Sequence, residues 1–215
     1  MSHDLTDAAL LVDRVAVIGQ VELQQVGTVP AVFRKPANVF VAAFVGVENI
    51  LAGRLLTRHG KMWRVRAAGA VLYAADDDVA ADDALLCIRA EEVGLRLVDG
   101  ADSLGLRGTA NRIAGRVSDA RSLGALSRVT VDCGFALVAC FTHREVHELG
   151  LSTGLEVVAE IEASSIHQLR HDAADSVAVR VELQGTVSVQ APYHCRWVES
   201  PQPLVVKHGI TARGV

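Results

Sequence analysis

The chain has 215 residues, a length that suits one large domain or two small ones, and a formal net charge of −4. The acidic balance argues against a nucleic-acid-binding protein, because neutralising phosphates requires a clustered basic face. We therefore expect no DNA or RNA partner. Half of the residues are hydrophobic but only 4% are aromatic, so we expect a core of Val, Leu, Ile and Ala.

The sequence carries no signal for a membrane span or for secretion. The longest apolar run, 39–47, is about half of the roughly 20 residues that a spanning helix needs. The N-terminus is polar and acidic rather than basic and then apolar, as a signal peptide would be. We expect a cytoplasmic protein.

The four cysteines occur singly within apolar or strand-like runs, and none forms a Cys-x-x-Cys pair. This spacing argues against a zinc or thioredoxin-type site, so we expect reduced, buried thiols and no bound metal. The cysteines are Cys87, Cys133, Cys140 and Cys195.

The first 49 residues contain a series of motifs in a recognisable order. A His-Asp pair at 3–4 precedes Asp-Arg-Val-Ala-Val at 13–17, Gly-Thr-Val-Pro at 27–30 and Phe-Arg-Lys-Pro-Ala-Asn at 33–38. The series resembles the end of the ATPase of an ATP-binding-cassette (ABC) importer, beginning at its switch-histidine loop. The resemblance implies that 1–49 is a C-terminal, helical remnant of the nucleotide-binding domain, and that His3 matches the switch histidine.

ATP hydrolysis requires a Gly-x-x-x-x-Gly-Lys-Ser/Thr loop and a carboxylate that helps to hold magnesium. The Gly60-Lys61 pair is followed by Met62 and has Leu55 at the position of the first glycine. We therefore expect no catalytic residue in this chain and an inactive His3. ATP and magnesium would bind only through a domain that this chain lacks.

After residue 49 the sequence repeats. The run 50–55 resembles 112–117, each is followed by a second alternating run, and the closing segments 86–93 and 159–166 also correspond. Alternation of period two with glycine punctuation is typical of strands. The predicted fold is mainly β, with two tandem barrel units like oligonucleotide-binding (OB) folds at 50–107 and 108–169, followed by a C-terminal extension at 170–215 that could add strands.

One helix is predicted inside the second unit. Thr142 and Glu145 have the spacing of a capping box, in which the threonine hydroxyl accepts from the backbone three residues on and the glutamate reaches back. A short helix is therefore expected between a strand at 135–141 and a strand at 155–162.

The second unit also resembles the TOBE/MOP oxyanion-binding barrel of molybdate and tungstate proteins. The residues that carry this resemblance are Asn111, Gly115, Leu123-Gly124-Ala125, Arg128 to Gly134, Phe141-Thr142, Glu148 to Leu151, Gly154 and Ile161 to His167. The resemblance implies a homodimer that binds the oxyanion between barrels and regulates an importer. It also implies an ABC transporter ATPase/permease complex as partner, with membrane contact only through the permease, at the inner face.

Hydroxyls and amides at the matching positions are the candidate oxyanion-binding residues: Thr109, Asn111, Thr142 and Ser164. The chain departs from the family at two places. Gly108-Thr109-Ala110-Asn111 stands where the family has Ser-Ala-Arg-Asn, and Glu162 replaces a lysine. Since a carboxylate repels an anionic ligand, we expect weak binding of molybdate or tungstate.

Two alternatives remain open at this stage. A free-standing molybdate-binding or storage protein needs no switch loop, so 1–49 favours a transporter origin. Half of a split ATPase would need a partner chain that carries the phosphate loop.

We expect two further groups of residues to have no binding or catalytic role. His143 and His147, four residues apart on the predicted helix, are expected on a solvated face. The acidic cluster at 76–78 and 82–83 is expected in an exposed loop.

Overall fold

The computed structural model describes residues 12–19, 22–75, 83–98 and 104–170, and the backbone of four strands beyond them. His3, the acidic residues 76–78 and 82, and the side chains of Leu106 and of Cys195 lie outside the described residues. The chain divides into two compact units, residues 1–46 with 189–215, and residues 47–188. No helix among the described residues is long and apolar enough to cross a membrane.

The first unit contains a small sheet and two short helices. Strand β1 (Arg14–Gly19) pairs antiparallel with β2 (Glu22–Thr28), and helices α1 (Val29–Arg34) and α2 (Val39–Phe44) follow. The Gly-Thr-Val-Pro motif is where α1 begins: Thr28 caps the helix, and a proline occupies its first turn. Asn38 caps α2 by accepting from the Val41 amide at 2.9 Å.

Side-chain amides of β2 hold the segment between the two helices. Gln25 Nε2 donates to the Lys35 carbonyl at 2.9 Å, and its Oε1 accepts from the Ala37 amide at 2.8 Å. Gln24 Oε1 accepts from Asn38 Nδ2 at 2.8 Å. These bonds fix the Pro36 turn against the strand.

The C-terminal extension contributes strands to both units. In the second unit, β14 (Arg180–Val181) pairs with β15 (Val187–Ser188). In the first, β17 (Leu204–His208) runs parallel to β1, and β16 (Cys195–Val198) pairs antiparallel with β17. The end of the chain therefore extends the N-terminal sheet rather than a barrel edge.

The second unit is built from the two sequence repeats. The first repeat forms β3 (Asn49–His59), β4 (Met62–Ala67), β5 (Ala70–Ala75), β6 (Asp83–Ile88), a 3₁₀ turn (Ala90–Glu92) and β7 (Val93–Leu97). After β8 (Gly105–Arg107), the second repeat forms β9 (Ala110–Leu123), β10 (Leu126–Asp132), β11 (Ala136–Thr142), α3 (His143–Glu148), β12 (Glu156–Glu162), a 3₁₀ turn (Ala163–Ser165) and β13 (His167–Arg170).

The repeats exchange their last strands. The first sheet has the order β13-β6-β3-β4-β5, and the second has the order β11-β10-β9-β12-β7, with β8 beside β9. Strand β7 closes the first repeat in sequence but pairs with β12, and β13 closes the second repeat but pairs with β6. The sequence repeat places a boundary between residues 107 and 108, whereas the hydrogen-bonded sheets cross it.

A shared core joins the two sheets. Fully buried side chains from both repeats form one cluster that includes Leu51, Leu86, Val129, Leu137 and Ile161. Most members of this cluster are aliphatic, and Phe135 is an aromatic exception among its buried residues. Burial of the common apolar surface therefore stabilises both sheets together.

Equivalent glycines lie where each long first strand crosses its barrel. A Cβ on Gly115 would lie 2.5 Å from Val131 Cγ1 and 2.7 Å from Cys133 Sγ, whereas one on Gly53 would lie 2.7 Å from Val65 Cγ1. Only a residue without a side chain allows these close approaches. The prediction of a mainly β protein with two tandem barrel-like units and little helix is confirmed.

Candidate functional site

Three of the four candidate oxyanion residues lie together at one end of the second sheet. The start of β9 pairs with the end of β12, so that Asn111 is opposite Ile161 and Ala110 is opposite Glu162. The Thr109 carbonyl accepts from the Ala163 amide at 2.8 Å. This bond places Thr109 beside the 3₁₀ turn that contains Ser164.

Asn111 is buried, with 2% of its surface exposed, and its side chain is fully engaged. Its Nδ2 donates to the carbonyls of Tyr73 at 2.8 Å and Ile161 at 3.1 Å, and its Oδ1 accepts from the Tyr73 amide at 2.7 Å. Both amide hydrogens are thus used within the protein, since an Asn amide has only two. Tyr73 belongs to the first repeat, so Asn111 joins one repeat to the other.

Asn49, at the start of β3 in the first repeat, likewise joins its own repeat to the other. It is 1% exposed, its Nδ2 donates to the carbonyls of Val138 at 2.9 Å and Ile88 at 3.2 Å, and its Oδ1 accepts from the Val138 amide at 2.7 Å. We call this pair, Asn49 and Asn111, the asparagine interlock. No motif in the sequence marks Asn49. Aligning the two repeats on Gly53 and Gly115 would have placed it opposite Asn111.

The 3₁₀ turn of the second repeat is exposed and lies next to carboxylates. Ser164 and Glu162 are exposed, and Ser165 Oγ donates to Glu92 Oε2 at 2.8 Å. Glu92 lies at the end of the equivalent 3₁₀ turn of the first repeat, where Arg89 pairs with Glu91. The hydroxyls of Ser164 and Ser165 therefore lie in a region that also contains the carboxylates of Glu92 and Glu162.

Thr142 lies at the opposite end of β9 from the other candidates, because it pairs with Leu126 and Leu126 pairs with Leu123. The predicted capping box is confirmed. Thr142 donates to Glu145 Oε2 from both its amide and its hydroxyl at 2.8 Å, and the hydroxyl accepts from the Glu145 amide at 3.3 Å. The Thr142 backbone and hydroxyl hydrogen bonds lower the pKa of the Glu145 carboxyl.

His143 connects α3 to the β9–β10 hairpin. Its Nδ1 lies 3.1 Å from Ser127 Oγ, its Nε2 lies 3.2 Å from Ser122 Oγ, and Nε2 also contacts the Gly124 carbonyl. This histidine therefore braces the hairpin turn. No cluster of three or more metal-ligating side chains occurs in the part of the chain that the structure describes.

The described thiols are poor nucleophiles. Burial raises the pKa of Cys87 to about 12. Burial, with a contribution from the Asp132 carboxylate, also raises the pKa of Cys133 to about 12. Burial is again the main cause that raises the pKa of Cys140. All three are protonated near neutral pH, and a protonated thiol is unreactive.

Two open grooves occupy equivalent positions in the repeats. One, of about 470 Å³, lies beside Gly115 and has Arg116, Asp132 and Glu156 on its walls. The other, of about 290 Å³, lies beside Gly53 and Asp83. Arg116 and Glu156 pair with each other at 2.8 Å and are both exposed, so the larger groove holds no uncompensated positive charge from Arg116.

Comparison with known proteins identifies the second repeat. The TOBE domain family matches residues 108–168. The molybdate/tungstate import ATP-binding protein WtpC of Pyrococcus horikoshii is 32% identical over 168 residues, which are 78% of this chain and 45% of that relative. The spermidine/putrescine import ATP-binding protein PotA 1 of Pseudomonas aeruginosa is 36% identical over 98 residues, 44% of this chain and 26% of that protein.

The chain is also similar to an ATP-binding protein named for another substrate and to one solved structure. The sn-glycerol-3-phosphate import ATP-binding protein UgpC of Vibrio vulnificus is 35% identical over 108 residues, 49% of this chain and 28% of that protein. A solved structure of the cytoplasmic molybdate-binding protein ModG with molybdate bound aligns with a TM-score of 0.49 and 20% identity, covering 59% of this chain and 98% of that one.

The chain spans less than half the length of these ATP-binding relatives. The WtpC match includes 48–168 wherever it begins, because it covers 168 of the 215 residues. The resemblance seen in the sequence is thereby confirmed: residues 108–168 match the TOBE domain family, and the chain is similar to the ATP-binding proteins of ABC importers.

Proposed function

We propose that this chain is the regulatory C-terminal region of a molybdate- or tungstate-type ABC importer ATP-binding protein, acting as a homodimer that senses the oxyanion. The observation that supports it best is the WtpC match, which takes in both repeats and not the TOBE domain alone. The first unit, with its Gly-Thr-Val-Pro turn, favours this function over that of a storage protein.

In this proposal the oxyanion contacts Thr109 and Ser164. A tetrahedral dianion needs several converging donors, because burying its charge without them is costly. Thr109 and Ser164 lie on two segments that a backbone hydrogen bond of 2.8 Å holds together. Asn111 contributes by fixing the strand below them, since its two donors are engaged. Thr142 would join the site only from another copy of the chain.

ATP binding and hydrolysis belong, in this proposal, to a nucleotide-binding domain outside this chain. The sequence holds no phosphate-binding loop, and this chain would transmit the oxyanion signal to the ATPase/permease complex. Its place would be cytoplasmic, at the inner face of the membrane.

The test is isothermal titration of the purified chain with molybdate, tungstate and sulfate, with size exclusion and light scattering to fix the oligomeric state. Saturable binding of molybdate or tungstate by a dimer, with sulfate much weaker, is the expected result. A folded chain that releases no heat with any of the three anions would refute oxyanion sensing. Thr109→Val with Ser164→Ala should abolish the signal without unfolding the chain, because both positions are at the surface.

A further inference from the structure

The end of the second sheet that carries the candidate oxyanion residues is rich in carboxylates. Glu162 follows β12 into the 3₁₀ turn, and Ser165 of that turn donates to Glu92 at 2.8 Å. Arg89, at the equivalent turn of the first repeat, pairs with Glu91. Because carboxylates repel a dianion, an oxyanion site here needs a cation that no carboxylate has already engaged.

The β8–β9 hairpin brings one arginine to this end of the sheet. Strand β8 ends at Arg107 and β9 begins at Ala110, so Gly108 and Thr109 form the turn between them. Gly108 has a φ of 64°, in the left-handed region that favours glycine. Arg107 lies directly opposite Ala110, which puts the two side chains on the same face of the sheet with their Cα atoms about 5 Å apart.

The strand register places Arg107 close to the two candidate hydroxyls. Ala110 is opposite Glu162 on its other side, so the short side chain of Ala110 separates Arg107 from that carboxylate. The Thr109 carbonyl accepts a backbone hydrogen bond of 2.8 Å from the 3₁₀ turn that contains Ser164. Arg107, Thr109 and Ser164 therefore surround one small residue at the tip of the hairpin.

Arg107 differs from the other arginines of the second sheet in its lack of a carboxylate partner among the described residues. It is exposed and forms no ion pair with any of them, Glu162 included. The other arginines of this sheet each pair with a glutamate or an aspartate: Arg96, Arg112, Arg116, Arg121 and Arg128. An unpaired arginine on a surface is ordinary by itself. This one lies beside two hydroxyls, where a ligand with negative charge would meet all three groups.

We propose that Arg107 is the cation of the oxyanion site, where its guanidinium binds the same tetrahedral dianion as the hydroxyls of Thr109 and Ser164. A planar guanidinium can donate two parallel hydrogen bonds to two oxygens of one anion. Its positive charge also offsets the repulsion from Glu162. This inference rests on the proposed function and adds to it a binding residue from β8.

The test is isothermal titration of the full chain and its Arg107 variants with molybdate. Arg107→Gln should weaken binding about tenfold, because hydrogen bonds from a charged donor are lost. Arg107→Lys should lose less than Arg107→Gln, since lysine keeps the charge but not the planar fork. Both variants should unfold at the temperature of the original chain, because Arg107 is exposed and has no described ion pair.

The matched control is Arg116→Gln, which makes the same charge change on β9 about 20 Å from Ala110. It should bind molybdate as the original chain does. Equal losses in Arg107→Gln and Arg116→Gln would show an effect of net charge alone and would overturn the proposal. Unchanged affinity in Arg107→Gln would overturn it as well.

A second measurement separates this inference from the proposed function. The NMR signal of the Arg107 Nε–H group, assigned as the arginine signal that Arg107→Gln lacks, should shift when molybdate is added. Molybdate binding that moves other signals but not this one would overturn the role of Arg107 and leave oxyanion sensing intact. A chain that binds none of molybdate, tungstate and sulfate would refute both.

Discussion

The two repeats of the second unit have the same strand order. Each has an asparagine at the start of its first long strand and a glycine four residues later. The charged side chains on their surfaces, however, have different neighbours. In the second repeat Arg116, Arg121 and Arg128 each have an acidic partner. In the first repeat Arg54 lies between Arg66 on β4 and Asp83 on β6. The shared asparagine and glycine hold the fold together, whereas the charged side chains on the surface differ between the repeats.

Removing either asparagine of the interlock should lower the unfolding free energy more than any of the substitutions below. Asn49→Ala leaves three buried backbone groups without their side-chain partner. Asn111→Ala does the same to one buried group, the Ile161 carbonyl, and to two partly buried groups of Tyr73. We expect each variant to lose about 3 kcal/mol of unfolding free energy, since each orphaned buried group costs about 1–3 kcal/mol. Urea denaturation measures the loss.

The surface variant Thr28→Ala, which removes only the cap of α1, is the control and should cost about 1 kcal/mol. Losses below that of the control at either interlock position would show that the asparagines do not join the repeats.

Substitution of Gly53 and Gly115 tests whether the two repeats are packed equally tightly around their equivalent glycines. Gly115→Ala puts a Cβ against Val131, Cys133 and the Asp132 carbonyl, whereas Gly53→Ala mainly meets one Val65 methyl at 2.7 Å. We expect Gly115→Ala to cost about 2 kcal/mol and Gly53→Ala less, because a single rotamer change relieves the second clash. Thermal unfolding of both variants compares them, and the reverse order would contradict the packing described.

Glu162→Lys tests the proposed oxyanion site. Replacing a carboxylate by an ammonium beside Ser164 should strengthen molybdate binding about tenfold, or 1.4 kcal/mol. Isothermal titration measures the change. Glu156→Lys makes the same charge change at the other end of β12 and should leave the affinity unaltered. Unchanged affinity in Glu162→Lys would show that the ligand binds elsewhere.

The capping box should give the smallest effect. Thr142→Ala removes the hydroxyl that caps α3 and is expected to cost about 1 kcal/mol. Because the pKa of Glu145 is lowered in the folded chain, its contribution is present above the unfolded pKa and is lost as the pH falls through the folded pKa. Carboxyl NMR titration should show the Glu145 pKa rising toward its ordinary value in Thr142→Ala. No change in that pKa would rule out the Thr142 hydroxyl hydrogen bond as one of its causes and leave the Thr142 amide bond, which this variant keeps.

Local features of this fold could be predicted from the sequence. The capping box of Thr142 and Glu145 needs only a spacing of three residues, and the alternating runs identify the strands without any knowledge of their partners. The internal repeat likewise required only comparison of 50–55 with 112–117.

Features that depend on distant partners could not be predicted in this way. Alternation in 93–97 and 167–170 says which face of each strand is buried, but not that the two strands change places. The sequence presents Asn111 as a free amide, because its partners Tyr73 and Ile161 are far away along the chain. The brace at His143 also depends on Ser122 and Ser127 arriving from another hairpin.

The strand exchange has a consequence for the order in which the protein can be completed during synthesis. The first sheet is complete only when β13 pairs with β6, and β13 (residues 167–170) is translated long after β6. Until then the outer edge of β6 is exposed, and the contacts that close it have a large sequence separation, which slows folding. A chain truncated between the repeats would have β7 without β12 and β6 without β13. It would not yield a smaller, intact barrel.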